Sequence, residues 1–83
     1  MAVTAIHRQY AKAVFIDQTR TLNSVPTAQK AGVWNWAGTS HLNTQYAPTI
    51  YLEEVNSALA AECITQGQYD QLLLDFPDIP NRS

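Results

Sequence analysis

Charge is scarce in this 83-residue sequence: 12 residues, 14%, are Asp, Glu, Lys or Arg, against about 25% in an average soluble domain. The net charge of −2 supplies no general attraction to nucleic acid or to an anionic lipid surface. A single cysteine, Cys63, excludes an internal disulfide framework. No apolar run exceeds four residues, Ala13–Ile16 and Ala58–Ala61 being the longest, far short of the ~20 a membrane-spanning helix needs. No positively charged start followed by an apolar stretch is present, so no secretory signal is expected. The length allows one small domain. Uncharged polarity stands where charge is missing, as eight Thr, seven Gln and five Asn. A hydrophobic fraction of 46% is too high for a disordered chain.

The few charges are sorted by sign. Residues 1–41 carry Arg8, Lys12, Arg20 and Lys30 against Asp17, a balance of +3. Residues 42–83 carry Arg82 against Glu53, Glu54, Glu62, Asp70, Asp75 and Asp78, a balance of −5. Two readings stand: solvated faces without a partner, or halves that pair within the chain or stack head-to-tail between copies.

Periodicity divides the chain into an N-terminal helix (1–20), an irregular connector (21–48), an αα hairpin (49–76) and a tail (77–83). Val3, Ile6, Tyr10 and Ala13/Val14 fall at helical spacing, predicting one apolar stripe from Val3 to about Thr19. Thr4 is placed to cap it. Pro26, Gly32, Gly38 and Pro48 make 21–48 the least regular part, with a short helix expected over Thr27–Trp34. The strongest signal is a helix over Ile50–Cys63, with Leu52, Val55, Leu59 and Cys63 on one stripe and Glu53 and Glu54 in its first turn, where the helix dipole favours them. A two-residue corner follows. Thr65 and Gln68 then form a capping box, and Ile64 and Tyr69 the positions of a hydrophobic staple. The second helix is expected to reach about Leu74 and to stop before Pro77. The fold class is mainly α: a small helical domain with a C-terminal hairpin and a long connector.

Candidate chemistry is thin. His7, His41 and Cys63 are the soft metal ligands, and none neighbours another at ligand spacing. Cys63 lies on an apolar stripe, the place of an inert thiol. Glu53 and Glu54 are adjacent, so a helix points them apart and they make no acid–base pair. No phosphate loop, dinucleotide fingerprint or nucleophile elbow occurs. No enzyme activity and no cofactor are expected. Read as a helix-turn-helix, the hairpin would present Gln66, Gln68, Asp70 and Gln71 without Lys or Arg, a poor reader of a phosphate backbone. The aromatic residues Trp34, Trp36, Tyr46 and Tyr51 are the candidate partner-binding set, because such side chains bury large area and keep a polar tip. Core packing and a sugar platform remain open for them.

The pattern Tyr51…Val55…Leu59…Ile64-Thr65-x-x-Gln68-Tyr69 resembles that of short XkdX-type proteins encoded in phage tail gene clusters. In that family an amphipathic helix leads into an Ile-Thr-x-x-Gln/Glu-Tyr corner and a second short helix. The match covers about 20 residues, departs at Glu62-Cys63, where a Gly-Lys-like pair is common, and leaves the first 45 residues without a counterpart. It implies a virion component made in the host cytoplasm, with other structural proteins of the assembly, or further copies of itself, as partners. The alternative is a small cytoplasmic regulator or adaptor.

Overall fold

In the computed structural model, which describes residues 4–82, the chain forms four α-helices: α1 (Ala5–Ala11), α2 (Thr27–Thr39), α3 (Leu52–Ala60) and α4 (Gln66–Asp75). No strand is present among the described residues. The helix α2 is central, packing on α1 and on α4, while α3 pairs with α4 and lies against the chain just after α1. Phe15, Ile50, Leu72, Val14, Val33 and Val55 fill the centre, all fully buried. Each contributes roughly 1.5–3 kcal/mol by leaving water.

The first helix does not keep one pitch. After Ala11 it widens into a π-helical turn, Lys12–Ile16, with the Asp17 amide donating to the Lys12 carbonyl at 2.8 Å. Gln18 then turns left-handed, at φ 57°, and ends the helix. The buried face is His7, Ala11, Val14 and Phe15, one residue out of step with the predicted stripe. Ile6 is 44% exposed, and Val3 lies outside the described residues. The reason is at the start of the helix. Thr4 occupies the cap, and its amide donates to Nδ1 of His7 at 3.1 Å, the position a Glu or Gln takes in a capping box. That bond turns the His7 ring inward.

The connector is more helical than its composition suggests. The expected short helix over Thr27–Trp34 runs on to Thr39, through both Gly32 and Gly38. These glycines are contact points. A Cβ on Gly32 would lie 2.3 Å from the His7 ring, and one on Gly38 would lie 2.1 Å from the Phe76 ring. With no side chains there, α2 receives one ring from α1 and another from the C-terminal end of α4. At the end of α2, the buried Ser40 hydroxyl accepts from the Ile50 amide at 2.6 Å, joining the connector to the hairpin.

The hairpin forms as expected in kind, with a longer corner. Five residues, 61–65, separate α3 from α4 instead of two. Glu62 sits left-handed at φ 63°. Its amide donates to the Leu59 carbonyl at 3.0 Å, and that of Cys63 to the Ala58 carbonyl at 2.8 Å. That bond pair is a Schellman stop, with Glu62 where glycine is usual. The corner is tied back to the connector by the Leu22 amide on the Cys63 carbonyl, 2.8 Å.

Candidate functional site

The four candidate aromatic residues do not converge on one platform. Trp36 is 2% exposed, and its indole N–H donates to the Pro48 carbonyl at 2.8 Å. It therefore belongs to the core and reaches outward only where its ring walls a recess. Trp34, two residues along the same helix, points to another side, as a 100° step per residue requires. It is half-buried, and its indole donates to Asp75 Oδ2 at 2.9 Å. Tyr51 stands at the start of α3, with the Arg82 guanidinium 5.6 Å from its ring centre. There the C-terminal tail is clasped: Arg82 pairs with Glu54 through its side chain, and its amide donates to Glu53 Oε1 at 2.7 Å.

Tyr46 alone joins Trp36. Between them, at an open recess of about 470 Å³, lies Arg8. Its guanidinium is 4.6 Å from the Tyr46 ring centre and 5.8 Å from that of Trp36, within cation–π range. Arg8 forms no ion pair among the described residues, whereas Lys12 is taken by Asp17 at 2.7 Å. Asn35, Thr39 and Asn43 complete the polar wall, and Leu42 forms the outer lip.

Leu42 is the residue that the periodicity missed. It sits in the single 3-10 turn Ser40–Leu42 that follows α2, where buried Ser40 faces inward and Leu42 is left 72% exposed. No alternation or heptad marks so short a turn; the only hint was a lone leucine amid Ser, His, Asn and Thr.

The corner residues hold the hairpin. The Gln68 amide donates to Thr65 Oγ1 at 3.1 Å, and the Thr65 amide to Gln68 Oε1 at 2.9 Å, a reciprocal capping box. Ile64 is buried, and Tyr69 packs on the core while its hydroxyl donates to Asn56 Oδ1 at 2.5 Å. The Gln68 side chain also donates to Asn23 at 2.9 Å. These contacts are all internal to the fold.

No protein-family model, no curated protein and no solved structure matches the chain. The resemblance at residues 51–74 thus has no support beyond those residues. Among the described residues no group of three or more His, Cys, Asp or Glu side chains converges as a metal site. No helix among them is long and apolar enough to cross a membrane. The arrangement offers a binding surface: an aromatic recess with an unpaired cation, an exposed leucine at its lip, and Asp75 and Asp78 around the smaller recess that also borders Leu42.

Proposed function

We propose that the chain is a non-enzymatic structural component of a phage particle, placed in its tail, baseplate or connector region and acting through protein–protein contacts. The observation that carries the contact reading is the edge at the end of α2. Leu42 stands 72% exposed beside a recess walled by Trp36, Tyr46 and Arg8. An apolar side chain flanked by aromatic and arginine groups has the composition of an interface centre. The particle reading rests on the hairpin resemblance at residues 51–74, supported by a surface poor in charge, which forgoes repulsion between neighbours.

The second reading, a small cytoplasmic regulator or adaptor that binds a partner, is supported by the Leu22–Cys63 and Ser40–Ile50 bonds, which fasten the connector to the hairpin. The test separates the two. With the chain epitope-tagged in its own genome, particles are banded on a density gradient and probed. Stoichiometric recovery in the band supports the particle reading. Recovery only in the soluble fraction overturns it in favour of the regulator.

A further inference from the structure

We propose that the Leu42 ridge is one half of a two-fold interface between two copies of this chain. The inference rests on reading this edge as a protein-contact surface, and it adds the partner. Three features lie in sequence across the surface. On one side of Leu42 is the recess with Arg8, stacked on Tyr46 and carrying no ion pair among the described residues. On the other side is a smaller recess of about 160 Å³, walled by His41, Phe76, Asp75 and Asp78. Neither aspartate pairs with a cation among the described residues; the two oxygens of Asp75 accept from Trp34 and Gln71, which makes Asp78 the principal acid of this side. Thr39 and Leu42 line both recesses and so form the ridge between them.

Cation, apolar ridge and acid in that order are complementary to themselves. A two-fold axis through the ridge sets Leu42 against Leu42 and turns the Arg8 side of each copy onto the Asp75 and Asp78 side of the other, twice over. The head-to-tail stack suggested by the charge split between the chain's halves needs the two signs on opposite faces. Here they flank a single residue, which closes the assembly at two. One apolar contact at the centre and charges at a wet rim give weak, salt-sensitive association.

The test is sedimentation equilibrium of the intact chain at low salt, from roughly 1 μM to 1 mM, the range in which weak complexes populate. The mass is expected to rise from the 9.2 kDa monomer to twice that value and stop. Leu42→Glu, at a side chain with little to lose in folding, weakens association at least tenfold. Arg8→Glu and Asp78→Arg each do the same, because each faces like charge in its own homodimer. Mixed together, these two variants recover the dimer, since a two-fold pair of one with the other restores opposite signs at both contacts. Recovery on mixing cannot arise from a folding defect, and circular dichroism of each variant checks the fold directly. A chain that stays monomeric throughout, growth beyond two copies, or no recovery on mixing overturns the proposal. None of those results touches incorporation into particles, and absence from particles leaves the dimer standing.

Discussion

Replacing Gly32 by alanine sets a gain in helix propensity against a steric clash, and the packing of α1 on α2 decides the sign. Alanine in a helix interior is favoured over glycine by about 1 kcal/mol. At Gly32 the added Cβ would stand 2.3 Å from His7 Cγ and Nδ1 and 2.4 Å from Cδ2, more than 1 Å inside ordinary contact. The obstacle is the root of the imidazole ring and not a flexible tip. Relief requires the His7 side chain to rotate or α1 to move away. Rotation gives up the bond from the Thr4 amide, about 0.5–1.5 kcal/mol, and overpacking of this kind costs about 1–3 kcal/mol. The net is a loss of about 0.5–3.5 kcal/mol. In a domain of this size each kcal/mol lowers Tm by roughly 4–8 °C. Gly67→Ala is the internal control. Its Cβ meets only Thr65 Oγ1, at 3.9 Å, in the exposed first turn of α4, so it gains a few tenths of a kcal/mol up to about 1. Both are read by urea and thermal unfolding followed by far-UV circular dichroism. His7→Ala in the Gly32→Ala background should recover part of the loss. If Gly32→Ala is as stable as the parent, α1 does not approach α2 through this glycine and the reasoning fails.

Other expectations concern single contacts. Ser40→Ala strands the buried Ile50 amide and should cost about 1–3 kcal/mol, seen as a lower urea midpoint; an unchanged midpoint contradicts the link between α2 and the hairpin. Glu62→Gly relieves a left-handed residue at the Schellman stop and should stabilise by about 1 kcal/mol, and a destabilised variant would refute the φ assigned there. The two tryptophans should separate by fluorescence. With Trp34→Phe the remaining emission is blue-shifted and shielded from acrylamide, with Trp36→Phe it is redder and more readily quenched, and indistinguishable spectra would contradict their different burial.

The hairpin was legible because its signals are local. A capping box and the apolar positions Val55, Cys63 and Leu72 require only neighbours along the chain to form their pattern. The connector is harder to read for the opposite reason. Gly32 and Gly38 are indistinguishable in sequence from loop glycines, and only the rings of His7 and Phe76 against them reveal that they sit within a helix. The register of α1 followed the same rule: an inward histidine, held by the Thr4 amide, outweighed an apolar Ile6. Glu62 at a glycine position, Ser40 as a buried bridge and Leu42 as an exposed ridge depend on residues ten or more positions away or on one short turn. The aromatic set was identified by type and separated by geometry, since Trp34 and Trp36 on one helix must face apart.

The proposed contact between two copies of this chain lies at the ridge that ends α2. Amide chemical shifts of the isotope-labelled chain, recorded from dilute to concentrated solution, test it most directly. Concentration-dependent shifts confined to Arg8, residues 39–46 and residues 75–78 are the predicted result. Shifts centred instead on the separate recess lined by Lys30, Trp34 and Gln68, or none at any concentration, would contradict it.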